Sequence, residues 1–78
     1  MKGSSMANES MCFFHLECLE AMIPVFKEFG VECKLGVSRG DAIEMGFALV
    51  SVWLRNPSKR PPAAKRDAFM AALHGLTT

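Results

Sequence analysis

The chain has 78 residues, half of them hydrophobic, and a formal net charge of +1. This length allows one domain with one core, and the small net charge argues against a general nucleic-acid binder. The longest apolar run, residues 42–54, contains Glu44 and falls short of the roughly 20 residues that a membrane span needs. We therefore expect a soluble cytoplasmic protein that does not use a membrane. Its single small helical domain should cover residues 8–76, after a tag-like or disordered N-terminus over residues 1–7.

Residues 9–29 have the pattern of a long amphipathic helix. At about 100° per residue their apolar side chains fill one continuous arc of about 200°. Asn8 or Ser10 can cap the start of this helix, and Gly30 can end it in a left-handed turn. Pro24 removes a backbone donor, but it falls on the polar arc and the apolar phase continues across it. The pattern predicts one helix, kinked at Pro24.

Residues 31–37 change to a period of two, which is typical of a half-buried strand. The apolar positions are Val31, Cys33, Leu35 and Val37. A lone strand of this length is not stable in water, so it needs a partner strand, for which a symmetry mate is one source. Without such a partner the segment is an extended connection.

Residues 39–55 predict a second helix, the most buried of the chain. Ser38 can act as its N-cap, with Asp41 at the third helical position of a capping box. Its apolar side chains cover about 200° of the circumference, which leaves only a narrow polar stripe. Asn56 and Pro57 should stop it, because the residue before a proline disfavours helical geometry.

Residues 62–74 predict a third helix. Pro61 and Pro62 suit a helix entry, where a missing backbone donor costs nothing. The segment is rich in alanine, and Gly75 sits where a helix cap belongs.

The expected fold is mainly α, with three helices, a candidate short strand and a small helical bundle completed by dimerisation. The two long helices have apolar arcs wider than one short third helix can cover, which is why we expect a homodimer or a tight partner. The side chains predicted to form the core or the dimer contact are Phe14, Leu19, Met22, Phe26, Phe47, Val50, Trp53 and Leu54.

The sequence carries no recognisable catalytic motif. No serine or cysteine has an identifiable base, and there is no glycine-rich phosphate loop or metalloprotease spacing. Cys12, His15 and Cys18 are zinc-type ligands, yet on one helix the two cysteines lie about 9 Å apart along the axis, at 1.5 Å per residue. We expect a non-enzyme without a metal or cofactor, whose cysteines fill the core.

Two groups of side chains are candidates for partner binding. Phe13 falls within the acidic arc of the first helix, beside Glu17 and Glu20, whereas His15 projects from the middle of its apolar arc. All five basic residues of the second half lie within twelve positions that contain no acid. Together the partner-binding candidates are Phe13, His15, Glu17, Glu20, Arg55, Lys59, Arg60, Lys65 and Arg66.

The leading hypothesis is a small non-enzymatic regulatory or adaptor protein that binds and modulates another protein through apolar helix surface, as inhibitor, anti-activator or assembly factor. The alternative is a dimeric DNA-binding transcriptional regulator that uses the basic residues 55–66 or the strand 31–37. In element order alone, strand–helix–helix resembles the ribbon-helix-helix DNA-binding family, and the resemblance implies a paired strand that reads the major groove. A metal or small-ligand sensor built around His15 and the cysteines is the third hypothesis.

Overall fold

The computed structural model describes residues 11–78, which form three α-helices and no strand. The helices are α1 (Phe13–Glu28), α2 (Arg39–Arg55) and α3 (Ala63–Thr77), with a 3₁₀ turn at Pro57–Lys59 between the last two. The predicted mainly helical fold with three helices is therefore confirmed. The dimerisation that we expected to complete the bundle stays a prediction.

Helix α1 begins later than predicted, at Phe13 instead of residue 9. Cys12 is its N-cap and has extended backbone geometry (φ −80°, ψ 171°). The Cys12 backbone N–H donates to Nδ1 of His15 at 3.5 Å, so His15 at the third helical position reaches back to the N-cap as in a capping box. Cys12 stands at the N-cap position for which the sequence offers Asn8 or Ser10. Those two residues lie outside the described part of the chain.

The predictions that α1 runs through Pro24 and ends at Gly30 are confirmed, and the kink at Pro24 stays a prediction. The helix continues through Pro24, and Pro24 is exposed on its solvent side. Gly30 has a φ of +75°, and its N–H donates to the carbonyl of Lys27. The N–H of Val31 reaches back to the carbonyl of Phe26, which completes a Schellman motif. A glycine therefore ends α1 in a left-handed turn.

The strand predicted over residues 31–37 is absent. Residues 31–34 belong to no helix and to no strand among residues 11–78, and the N–H of Val37 closes a turn onto the carbonyl of Lys34. Val31, Cys33 and Val37 pack against the core, while Leu35 is exposed. The alternation therefore marks a connection with one side on the core, and it does not mark a paired strand.

The path of the chain explains why this connection is not helical. Lys65 contacts Glu28 at one end of the bundle, and Arg39 donates to the carbonyl of Leu76 at the other, so α1 and α2 run parallel and α3 runs against both. The connection from α1 to α2 must therefore travel the length of α1. Sixteen helical residues span about 24 Å, and the ten residues 29–38 could not cover that distance as a helix, which advances only about 1.5 Å per residue.

Helix α2 has the predicted bounds. The Ser38 hydroxyl accepts a hydrogen bond from the Asp41 backbone N–H at 3.1 Å, as expected for an N-cap. The helix ends at Arg55, immediately before Asn56 and Pro57. Ala42, Gly46, Leu49 and Trp53 form its buried face.

Helix α3 starts close to the predicted residue but runs three residues further, to Thr77. Gly75 lies inside the helix and is buried, so the prediction that it forms the cap is wrong. A Cβ added at Gly75 would lie 2.6 Å from Sγ of Cys18 and 3.3 Å from the Phe14 ring. Glycine is needed here for the close approach of α3 to α1.

The core lies where the three helices meet. Phe69 of α3 is at its centre, because its ring contacts Phe26 edge-on at 5.4 Å and Trp53 at 5.2 Å between centroids. The largest fully buried side chains are Trp53, Phe26, Phe69, Leu19, Met22 and Leu76. Helix α3 makes its most extensive contact with α1, so α2 packs more loosely.

Candidate functional site

A groove between α2 and α3 is the candidate functional site, and we call it the α2–α3 groove. It has a volume of about 360 Å³ and is lined by Val50, Trp53, Leu54, Arg60, Arg66, Asp67 and Met70. Val50 and Leu54 are one turn apart on α2, and Arg66 and Met70 are one turn apart on α3. Each helix therefore presents a short row of side chains along one wall of the groove.

Two large apolar side chains of this groove are exposed. Leu54 is 71% exposed, and Met70 on the opposite wall is also exposed. Within residues 11–78, four further large apolar side chains are exposed: Phe13, Phe14, Leu35 and Phe47. Single exposed apolar residues are normal, but Leu54 and Met70 face a common cavity, which is typical of a binding surface.

Trp53 at the groove has an unsatisfied hydrogen-bond donor. The side chain is only 2% exposed, and its indole N–H finds no acceptor within residues 11–78. A buried donor without a partner costs about 1–3 kcal/mol, so native proteins rarely keep one.

The groove carries net positive charge next to its apolar surface. Two guanidinium groups, of Arg60 and Arg66, line it together with one carboxylate, of Asp67. The only ion pair of these groups is long, since Arg66 Nε lies 3.9 Å from Asp67 Oδ1. The Arg60 guanidinium has no side-chain partner in the described part of the chain, which leaves its donors open to a carboxylate.

The structure separates the two predicted groups of partner-binding residues. Phe13, Glu17 and Glu20 are exposed near the start of α1, whereas the basic residues follow the end of α2. Because α1 and α2 are parallel, these groups lie at opposite ends of the bundle. One partner contact would have to span the whole molecule to use both.

The five basic residues themselves have different surroundings. Arg60 and Arg66 line the α2–α3 groove, and Lys65 donates to the carboxylate of Glu28. Lys59 lines a different groove, of about 280 Å³, beside Phe29 and Met45. Arg55 is exposed at the end of α2.

His15 has a local structural role that the sequence did not reveal. Its Nδ1 lies 3.2 Å from Sγ of Cys12, and its half-buried ring packs at a tilt against Phe14. Burial raises the pKa of the Cys18 and Cys33 thiols, with a smaller contribution from Glu17 at Cys18. Raised thiol pKa values disfavour the thiolate that metals bind. No cluster of three or more metal-binding side chains occurs within residues 11–78.

The predicted core and dimer residues fall into two groups. Leu19, Met22, Phe26 and Trp53 are buried, and Val50 is half-buried. Phe14, Phe47 and Leu54 are exposed. Met70 was missing from the predicted site, although its spacing of four residues from Arg66 on a helix was a signal that could have found it.

Comparison with known proteins adds no relative. A scan of protein-family models, a search of curated proteins and a search of solved structures each found no match. Among the described residues, no helix has the length and apolar character to cross a bilayer. Function must therefore be argued from the chemistry of the groove.

Proposed function

We propose that this protein is a non-enzymatic regulatory or adaptor protein that binds another protein in the α2–α3 groove, in the cytoplasm. The observation that carries the proposal is a groove, lined by Trp53, in which the exposed apolar side chains of Leu54 and Met70 lie beside the guanidinium groups of Arg60 and Arg66. Tryptophan and arginine are the residues most enriched at the energetic centres of protein interfaces.

The bound segment that fits this groove is an acidic amphipathic helix. Rows of side chains on α2 and α3 form walls of the kind into which a third helix lays its apolar face. Its leucine or phenylalanine side chains would contact Leu54 and Met70. A glutamate or aspartate of the same helix would accept hydrogen bonds from Arg60 or Arg66, which bind carboxylates in bidentate geometry.

The DNA-binding alternative has less support. The ribbon-helix-helix resemblance depends on a strand over residues 31–37, and that strand is absent from the structure. The charge of Lys65 is partly neutralised by Glu28, and Asp67 adds a negative charge beside Arg66. The metal-sensor alternative has no ligand cluster to support it within residues 11–78.

Affinity capture from the native cell with quantitative mass spectrometry tests the proposal. We expect a protein that is retained by the wild type and by Phe13→Ala, and whose recovery falls about tenfold or more with Arg60→Glu or Met70→Glu. Arg60 and Met70 are exposed, so both variants should keep the wild-type circular dichroism spectrum.

Two results would contradict the proposal. One is a retained protein that depends on Phe13 and ignores both groove variants, which would move the site to the start of α1. The other is retained nucleic acid whose affinity falls steeply with salt and is lost on replacing Lys59 and Arg60, which would support the DNA-binding alternative.

A further inference from the structure

One side of α2 carries a continuous apolar row that the rest of residues 11–78 covers only in part. Its members are Ile43, Phe47, Val50 and Leu54, which we call the α2 stripe. Phe47 is 54% exposed and Leu54 71%, while the other two are half-buried. The spacing of four, three and four residues is the spacing of a coiled-coil seam, in which one helix packs along another.

We propose that the α2 stripe binds the α2 stripe of a second copy of this chain, with the two helices antiparallel about a twofold axis between positions 48 and 49. In this register Phe47 lies opposite Val50 of the second copy, and Ile43 lies opposite Leu54 of the second copy. A symmetric contact of this kind uses the same patch twice, so the stripe complements itself.

Charge complementarity selects the antiparallel orientation. Glu44 and Arg55 are both exposed and have no ion pair within residues 11–78. Both lie on the same side of the stripe, about 90–110° around the helix from the centre of the stripe at 100° per residue. A twofold axis perpendicular to both helices places that side of the first copy next to the same side of the second copy. Glu44 then lies within about 3 Å, along the helix axis, of Arg55 of the second copy. A parallel pair would place these side chains on opposite sides.

The second copy would also regulate the α2–α3 groove, a consequence that rests on the proposed function. Val50 and Leu54 belong to both the stripe and the groove. A second copy seated on the stripe covers two groove residues, so dimerisation and partner binding exclude each other. Free protein would be dimeric, and partner binding would release a monomer.

Sedimentation equilibrium across micromolar to millimolar protein tests the pairing. The wild type should form a concentration-dependent dimer, which Phe47→Glu should weaken at least tenfold by placing two carboxylates near the axis. Glu44→Arg and Arg55→Glu should each weaken the dimer several-fold because they create like-charge contacts, and the double variant should restore it. Arg60→Glu, which alters the groove alone, should leave the dimer unchanged.

A wild type that stays monomeric over the whole range would overturn the proposal. A dimer that the double charge reversal fails to restore would overturn the antiparallel orientation. Because Phe47 lies outside the groove, Phe47→Glu should retain the captured partner at least as well as the wild type does. Phe47→Glu therefore tests the dimer without testing partner binding, so failure of the dimer proposal and failure of the proposed function give different results.

Discussion

The α1–α3 contact and the outer side of α2 differ sharply, although both are built from apolar helix surface. Leu19, Met22 and Phe26 of α1 are fully buried, and Gly75 lets α3 approach closely. On α2, Phe47 and Leu54 remain largely exposed. The contact between α1 and α3 is therefore closed, whereas the outer side of α2 is largely open to solvent.

The difference follows from how much surface a single third helix can cover. Helix α3 lies against both α1 and α2, but its own apolar face is narrow and its main contact is with α1. The surface of α2 that points away from α3 is left for solvent or for a partner. Stability should therefore depend mainly on the α1–α3 side, and recognition on the α2 side. The predictions below test this division.

The largest difference in stability should appear when a phenylalanine is truncated at the α1–α3 contact and on the outer side of α2. Phe26→Ala should lower the free energy of unfolding by about 3–5 kcal/mol, because it leaves a cavity in the closed core. Phe47→Ala should cost less than about 1 kcal/mol at concentrations where the chain is monomeric, because surface substitutions rarely cost more. Urea titration followed by circular dichroism measures both values. Equal losses would mean that Phe47 is not free in the monomer.

Adding a methyl group at Gly46, where α2 lies close to the side chains of Leu73 and Met22, should have the next largest effect on stability. A Cβ at Gly46 would lie 2.6 Å from Cδ1 of Leu73 and 3.1 Å from Cε of Met22, and both side chains are buried. Overpacking typically costs about 1–3 kcal/mol, and the better helix propensity of alanine returns about 1 kcal/mol. Gly46→Ala should therefore lower the midpoint of thermal unfolding measurably.

Gly36→Ala is the matched control for that substitution. No described atom lies within 4 Å of a Cβ at Gly36, so the change should stay within about 0.5 kcal/mol. If both substitutions lowered the midpoint of thermal unfolding by a similar amount, the loss at Gly46 could not be attributed to close packing between α2 and α3.

Removing the N-cap of α2 should cost about 1 kcal/mol. Ser38→Ala deletes the hydroxyl that accepts from the Asp41 N–H and leaves that donor to water. Ser51→Ala changes the same residue type in the middle of α2 on its exposed side, where alanine favours the helix. The two variants should shift the chemical denaturation midpoint in opposite directions, and a shift in the same direction would argue against the cap.

The smallest effect should come from the ion pair between Lys65 and Glu28, which joins α3 to α1 at an exposed edge. Exposed pairs contribute about 0.2–1 kcal/mol and are screened by salt. A double-mutant cycle with Glu28→Gln and Lys65→Met should give a coupling energy in that range that vanishes in high salt. Glu20→Gln, at an exposed α1 position without an ion pair in the described residues, should show no coupling to Lys65→Met.

Features set by residues close together in the chain could be predicted from the sequence, and features that depend on contact between distant segments could not. The bounds of α2 depend on Ser38, Asp41 and Pro57, all of which act within a few residues, and the sequence predicted them correctly. The predicted start of α1 was wrong because the N-cap is Cys12, a residue type outside the usual N-cap set, whose N–H donates to the ring of His15. Gly75 was misassigned because a glycine can either end a helix or allow a second helix to pack closely against it. Only the position of the second helix tells these two roles apart.

The candidate site shows the same limit. Arg60 and Arg66 were predicted as part of a basic segment, and Val50, Trp53 and Leu54 as apolar positions, with nothing in the sequence to join them. Their meeting in one groove depends on α3 running antiparallel to α2 and on the close contact at Gly46. The second predicted group, Phe13 with Glu17 and Glu20, lies on α1 and does not line this groove.

The sequence alone determined the helical class, the break at Gly30, the limits of α2 and the excess of apolar surface. These features follow from periodicity and from residues that act on their own backbone. Tertiary structure decided that residues 31–37 form a connection instead of a strand, because parallel α1 and α2 require a chain that runs the length of the bundle. It also decided which apolar side chains were left exposed, since burial depends on what a distant segment can reach.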